Sequence, residues 1–136
     1  MELKHVRHFY NRFGFGLITN SRNHKLEEFS REKLAEAFFE ASSELTPLQI
    51  ATGELEKYIE KNAMADRKTL RNLIKKSNGL IRDYNYAWLE RMGNTEALLR
   101  EKMTLFWANH FVCRDNNIVH LQQYNNILRE HAFGDF

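Results

Sequence analysis

Two ionisable residues in one apolar stretch are the first candidates for chemistry in this sequence. Residues 95–112 are rich in Leu, Met, Phe and Trp, yet they also carry Glu101 and His110. A histidine in such surroundings can serve as a general base or a metal ligand, and a glutamate can serve as an acid. In a helix, nine residues separate the two by about 13 Å along the axis and place them on opposite sides. They cannot form a dyad, so each is a separate catalytic candidate.

Each of these two candidates also has a purely structural interpretation, which we favour. His110 shares a helical face with Leu99, Met103 and Phe106, so we expect its ring to be buried and to need a hydrogen-bond partner. A buried Glu101 must either be paired, most simply with an arginine, or carry a proton. The arginines that the sequence offers for this pair are Arg7, Arg12, Arg82, Arg91 and Arg129.

A third candidate is a basic face on the helix that we predict to begin near residue 66. It consists of Arg67, Lys68, Arg71, Lys75, Lys76 and Arg82. Such a face can bind the phosphate groups of nucleic acids. However, Tyr84 and Trp88, which could stack on bases, fall on the predicted buried stripe of the same helix. We therefore favour a solvated surface over a nucleic-acid interface.

Composition narrows the class of protein. The chain has 136 residues, of which 43% are hydrophobic and 12% aromatic, and this composition indicates a globular domain. Its net charge of +2 gives no reason to expect binding to nucleic acid. The single cysteine, Cys113, excludes an internal disulfide and a cysteine-rich metal site. No known metal motif is present, so we predict no metal and no cofactor. No stretch has the length of a signal peptide or a membrane span, which makes the cytoplasm the default location.

The spacing of apolar residues predicts helices throughout and no strand. The predicted ranges are 3–13, 30–43, 52–59, 66–92, 95–112 and 117–131. Ser30 is suited to cap the helix that it precedes, Asp66 opens the longest periodic run, and residues 93–95 are expected to end that run and cap the central helix. Residues 96–112 are apolar nearly all round, which favours burial by neighbours on several sides. We therefore predict an all-α fold, an irregular or orthogonal bundle of five or six helices around a central buried helix at about 96–112.

The C-terminal residues, 129–136, end on an apolar side chain shortly after a predicted helix. We expect residues 1–136 to form a single helical domain that is the N-terminal fragment of a longer protein. The remainder of that longer chain is then the expected partner. Faces that the remainder would cover could also let the 136-residue chain form a homodimer.

Four stretches of the chain carry the motifs of a known family. They are residues 9–16, 86–92, 99–112 and 124–136, and the most specific motif is the run from Trp107 to Phe111, Trp-Ala-Asn-His-Phe. Together they resemble the large bacterial domain-of-unknown-function family numbered 1800. The resemblance spans the whole chain and implies the N-terminal part of a protein several times longer. It implies no activity, and because family members are often exported it adds export as an alternative to the cytoplasm.

The resemblance also selects residues within the central stretch. Family members commonly have histidine at the position of Ala108, which leaves Trp107, Asn109 and His110 as the matching positions and implies a ligand-binding role for the first two. Three functions follow. The one we favour is a helical structural or interaction module of a larger protein. The alternatives are part of an enzyme active site, completed by missing C-terminal sequence and using His110 with Glu101, and phosphate or nucleic-acid binding through the basic face.

Overall fold

The computed structural model describes residues 1–17, 28–60 and 66–134, and the secondary structure in these ranges is helical. The helices are α1 (Leu3–Phe13), α2 (Arg31–Ala41), α3 (Leu55–Glu60), α4 (Arg67–Asn94), α5 (Leu98–His110) and α6 (Ile118–Glu130). No strand occurs within the described ranges, which confirms the all-α prediction. Each predicted range corresponds to one helix, whose ends lie within three residues of the predicted ones.

Side-chain caps fix where three of the helices begin. The Ser30 hydroxyl accepts a hydrogen bond from the backbone N–H of Lys33 at 3.3 Å, ahead of α2. The Asp66 carboxylate accepts from the N–H of Thr69 at 2.7 Å, ahead of α4. Asn117 does the same for the start of α6. The first N–H groups of a helix lack partners within the helix, so these bonds satisfy donors that would otherwise be unpaired. The cap predicted at Ser30 is confirmed, whereas the cap predicted for the central helix at 93–95 is wrong, because the residue that precedes α5 is Ala97, which has no side-chain cap hydrogen bond.

Helix α5 is the central helix, because it packs against α1, α2, α4 and α6. On one side, Leu99 joins Leu34 and Phe38 of α2 in a buried cluster, against which α1 also packs. A second buried cluster links α3, α4 and α6 through Leu55, Tyr84 and Ile118. The apolar spacing on which the helix predictions rested therefore corresponds to two buried clusters. One includes α5, and the other includes α6.

Amide side chains of α6 hold the irregular segment 45–50. The Asn126 side chain accepts the N–H of Leu48 and donates to its carbonyl, both at 2.9 Å. One turn earlier, the Gln122 side chain accepts the N–H of Ile50 at 2.6 Å. Residues four apart on a helix are about 6 Å apart, close to the spacing of alternate residues in an extended chain. Two amides at this helical spacing can therefore bind alternate peptide groups of the segment.

Burial of α5 is confined to its first half, and the expectation of a helix buried along its whole length is wrong. Leu99, Arg100, Glu101 and Thr104 are buried, but Phe106 is 55% exposed. Asn109 and His110, which follow, are exposed as well. The apolar cluster formed with α2 and α1 involves Leu98, Leu99 and Met103 and extends no further along α5. The second half of α5 therefore runs past the helices that cover its beginning.

Candidate functional site

Glu101 lies at the centre of a network of hydrogen bonds and ion pairs, and its side chain has no solvent exposure. One carboxylate oxygen, Oε1, accepts from Nε of Arg129 at 2.8 Å and forms an ion pair with Arg91, whose Nε lies 3.0 Å away. The other, Oε2, accepts from Nε1 of Trp88 at 2.7 Å and from Nη2 of Arg129 at 3.1 Å. Three hydrogen bonds and a further ion pair from α4 and α6 thus converge on one carboxylate of α5. We call Glu101, Arg91, Arg129 and Trp88 the Glu101 cluster.

The Glu101 cluster confirms the expectation of an arginine partner and identifies two of them. Both belong to the set of arginines that the sequence offered, and the carboxylate bridges them. Burial lowers the pKa of Arg91, while the nearby Glu101 carboxylate opposes that change. Arginine remains protonated in proteins, so the guanidinium groups stay charged here. Both oxygens of Glu101 accept hydrogen bonds from side chains of the neighbouring helices.

Arg100 of α5 is buried like Arg129 of α6, and it was not singled out in the sequence analysis. Its guanidinium donates to the carbonyl oxygens of Ser42 at 2.8 Å, Arg129 at 2.7 Å and Ser43 at 3.3 Å. It also lies over the ring of Phe133, 4.8 Å from the centroid. Burial lowers the pKa of this guanidinium. Arg100 therefore binds the C-terminal ends of α2 and α6, where backbone carbonyls lack partners within the helix.

The amides behind the Glu101 cluster were also missed from the sequence. Nη1 of Arg129 donates to Oδ1 of Asn126 at 2.6 Å, the same atom that accepts the N–H of Leu48. The buried Tyr84 hydroxyl donates to Oδ1 of Asn125 at 2.9 Å, and burial raises the pKa of this tyrosine. The sequence does contain one signal for these contacts. Asn and Gln residues recur on α6 at helical spacing, and segment 45–50, which they bind, lacks helical periodicity.

His110 lies in a different environment from the one expected. Its imidazole is exposed, whereas the sequence interpretation placed it in a buried apolar face. The ring stacks on Phe106, with centroids 6.5 Å apart and planes at 7°, and meets Phe111 edge-on at 4.8 Å and Trp107 at 5.9 Å. We call Phe106, Trp107, His110 and Phe111 the ring cluster. The prediction of a buried histidine is wrong because the apolar cluster that α1 and α2 form with α5 does not extend along this half of the helix.

The ring cluster is attached to the rest of the bundle by polar contacts. Nε1 of Trp107 donates to the carbonyl of Ala132, just beyond α6, at 3.1 Å. The Tyr124 hydroxyl donates to the carbonyl of Phe111, where α5 ends. Trp107 is half-buried as a result, while Asn109 is exposed. The cluster therefore holds a fixed position on α6 and still presents aromatic surface to solvent.

The family to which this chain belongs follows from comparison with family models. Residues 8–136 match the model described as "Protein of unknown function (DUF1800)". The chain belongs to the DUF1800 family. The resemblance inferred from the motifs is therefore confirmed, and the match to DUF1800 includes the Glu101 cluster and the ring cluster. Neither the curated proteins nor the solved structures give a significant match.

Ala108 is the position at which the motif resemblance implies a histidine in other DUF1800 proteins. In this structure Ala108 is half-buried. Positions 108 and 110 are two residues apart on one helix, so their side chains point about 200° apart around its axis. A histidine at 108 would therefore project away from His110 on the same helix. Likewise, α5 is continuous from Glu101 to His110, which keeps these two residues about 13 Å apart along its axis.

The basic face lies on the first half of α4, and all six of its cations are exposed: Arg67, Lys68, Arg71, Lys75, Lys76 and Arg82. Tyr84 is buried and Trp88 half-buried, so the two aromatic residues are turned away from this face, as expected. None of the six cations forms an ion pair with any residue in the described part of the chain. No side chain in the described part of the chain therefore neutralises the positive charge of this face through an ion pair.

Two surface grooves lie apart from both clusters. One, of about 400 Å³, lies beside α1 and the start of α2 and includes His5 and His8 in its lining. The other, of about 620 Å³, lies between segment 45–50 and α6. Neither groove is lined by Glu101 or His110. Within the described ranges, no three His, Cys, Asp or Glu side chains lie close enough to hold a metal ion, and no helix is long and apolar enough to cross a bilayer.

Proposed function

We propose that this DUF1800 protein acts as a helical interaction module and that the ring cluster is its binding surface. The observation that carries the proposal is the position of these four rings, in mutual contact and partly open to solvent at the end of the central helix. Aromatic residues clustered on an exposed surface are typical of protein interfaces, where they supply much of the binding energy.

The surface around the ring cluster is also apolar beyond the rings. Val112 is 80% exposed, Phe106 55% and Phe111 40%, and all three lie within seven residues of the chain. Single exposed apolar residues are ordinary, but a contiguous apolar patch marks an interaction site. The fixed position of Trp107 on α6 supports the same interpretation, because a pre-organised surface loses less entropy on binding.

For the partner we propose a further segment of the same gene product, with residues 1–136 as one domain of it. The motif resemblance implies a protein several times longer, which supports this choice. A segment of the same chain is held at high effective concentration, so even a modest apolar contact would form. The structural role of Glu101 agrees with a module whose interior serves stability and whose surface serves binding.

The experiment measures binding of residues 1–136 to the separately expressed remainder of the gene product by isothermal titration calorimetry. We expect Phe106→Ala to weaken the affinity at least about tenfold, as is typical of a central aromatic contact. The control is Phe39→Ala, because Phe39 is similarly exposed at 58% but lies on α2. Equal effects of the two substitutions would contradict the proposal. Self-association of 1–136 that Phe106→Ala abolishes would identify a second copy as the partner instead.

A second candidate function is an active site completed by that partner, with His110 as general base. The observation in its favour is the exposed imidazole, which a bound ligand could reach within an aromatic enclosure. His110→Gln separates the two functions. If His110 serves only binding, the substitution weakens affinity and no turnover depends on it. If it is a general base, affinity for the partner is retained and turnover falls by about 10²–10⁴.

A further inference from the structure

The first three turns of α4 carry exposed apolar side chains that lie apart from the ring cluster. Leu70 is 50% exposed and Ile74 is 38% exposed, although both belong to the apolar stripe that is buried further along the helix at Ser77 and Tyr84. Since they are one turn apart, the two side chains form a short aliphatic ridge. This ridge is the part of the α4 stripe that the described helices leave uncovered.

Cations border the aliphatic ridge closely. Three cations at intervals of four residues form the neighbouring row of the helix surface: Arg67, Arg71 and Lys75. Each of them lies three residues before, or one residue after, Leu70 or Ile74. Lys68 and Lys76 extend the positive charge around the helix on the side away from the ridge. Between residues 67 and 82 the sequence has no aspartate and no glutamate. The ridge and its cations span about 14 Å of helix.

We propose that this end of α4 docks on the surface of an anionic lipid bilayer. The aliphatic ridge would enter the boundary between headgroups and acyl chains, while the arginines and lysines beside it would contact lipid phosphates. Helices that lie in the membrane interface combine these two features, an apolar face for insertion and a basic face for anionic headgroups. Contact is peripheral, because no described helix has the length and apolarity to span a bilayer.

A bilayer fits the surface better than nucleic acid does. Residues 67–82 contain no Phe, Tyr or Trp, so the face has no ring on which an unpaired base could stack. Phosphate contacts alone would give no role to Leu70 and Ile74, which would stay in water beside the polyanion. Both ligands would respond to salt, because both contribute anionic phosphates. The aliphatic ridge is therefore the feature that distinguishes them.

The test is co-sedimentation of the full 136-residue chain with vesicles of phosphatidylcholine alone and of phosphatidylcholine and phosphatidylglycerol in equal parts. We expect binding to the anionic vesicles only, and weaker binding at higher salt. Arg71→Gln with Lys75→Gln should reduce partitioning about twenty-five-fold, at roughly fivefold for each cation near the surface. The charge-matched control is Arg7→Gln with Lys33→Gln, which removes two exposed cations from α1 and α2.

The decisive variant changes the aliphatic ridge without changing charge. Leu70→Gln with Ile74→Gln should reduce partitioning into anionic vesicles by about tenfold or more. Its control is Leu45→Gln with Ile127→Gln, which replaces two residues of nearly matched exposure, 41% and 53%, elsewhere on the surface. Absence of binding to anionic vesicles would overturn the proposal, as would binding that the ridge variant leaves unchanged. Tight binding to duplex or single-stranded nucleic acid that survives the ridge variant would assign the cations to a nucleic-acid site instead.

Discussion

Replacing Glu101 with glutamine tests whether the centre of this fold is structural or catalytic. The substitution keeps the shape of the side chain but removes its charge and turns one acceptor oxygen into an NH₂ group. Oε2 accepts two hydrogen bonds, and Oε1 accepts one and is paired with Arg91, so whichever atom becomes nitrogen loses at least one hydrogen bond and lies against two nitrogen donors. The guanidinium groups of Arg91 and Arg129 would then share no counter-charge within the cluster.

The expected loss of stability is large. Removing one partner of a buried ion pair typically costs about 3–5 kcal/mol, because the remaining charge stays buried without compensation. Here Arg129 has no solvent exposure, so it cannot recover its hydration without rearrangement of α6. Domains of this size are stable by about 5–15 kcal/mol, so the loss would be a substantial fraction of the total. With a urea m value of about 1–3 kcal/mol/M, the unfolding midpoint should fall by at least about 1 M.

Urea unfolding followed by far-ultraviolet circular dichroism measures this loss. Tryptophan fluorescence is less suitable, because Trp88 itself donates to Glu101 and its emission would change in the folded state. Glu36→Gln provides the control, because this exposed glutamate of α2 should alter the free energy of unfolding by no more than about 0.5 kcal/mol. A double-mutant cycle with Arg91→Gln should show coupling of about 1–3 kcal/mol, as expected for groups in one network.

The opposite outcome has a clear meaning. Residues kept for catalysis in a strained or poorly solvated site often destabilise the fold, and replacing them leaves stability unchanged or raises it. If Glu101→Gln lost less than about 1 kcal/mol, or gained stability, the structural assignment of the Glu101 cluster would be refuted. The carboxylate would then return as a catalytic candidate.

Two further substitutions and one titration test other parts of the structure. Tyr84→Phe should cost about 1–2 kcal/mol in urea unfolding, because it leaves a buried acceptor without its donor, whereas Tyr86→Phe, at 65% exposure, should cost nothing measurable. Arg100→Lys keeps the charge but loses the fork that reaches three carbonyls, so we expect a loss of about 1–3 kcal/mol in the same assay. Hydrogen bonds from Thr69 hold the pKa of Asp66 below its ordinary value. The α4 cap should therefore persist at pH values above the ordinary pKa and be lost as the pH falls through the folded-state pKa. Carboxyl chemical shifts measured against pH would show whether Asp66 titrates below its ordinary pKa.

The helices and caps could be predicted because they depend on local sequence. Periodic apolar residues and an oxygen-bearing cap at Ser30 act within a few positions of the chain, and neither requires knowledge of what lies opposite. The pairing of Glu101 could be foreseen as a need, since a buried carboxylate requires a donor. Which arginines meet that need depends on how α4 and α6 pack against α5, and this is information that spacing along one helix does not contain.

The error at His110 has a related origin. A helical face shared with Leu99 and Met103 predicts burial only if a neighbouring helix continues alongside, and α1 and α2 cover only the start of α5. Periodicity reveals which side of a helix is apolar, but it does not reveal where the covering helices end. Exposed apolar residues at the end of a central helix therefore look, in the sequence, the same as core residues.

Helix α5 combines two roles along its length, and the order of these roles has a consequence for binding. Its first half is fixed by Glu101 and Arg100, which tie it to α4, to α6 and to the end of α2. Its second half carries the ring cluster, which is connected to α6 at Trp107. Because the rings extend from a helix whose base is immobilised by charge, their positions depend on contacts that lie outside the binding surface. Loss of the Glu101 cluster should therefore weaken partner binding as well as stability, even though Glu101 contacts no part of the proposed surface.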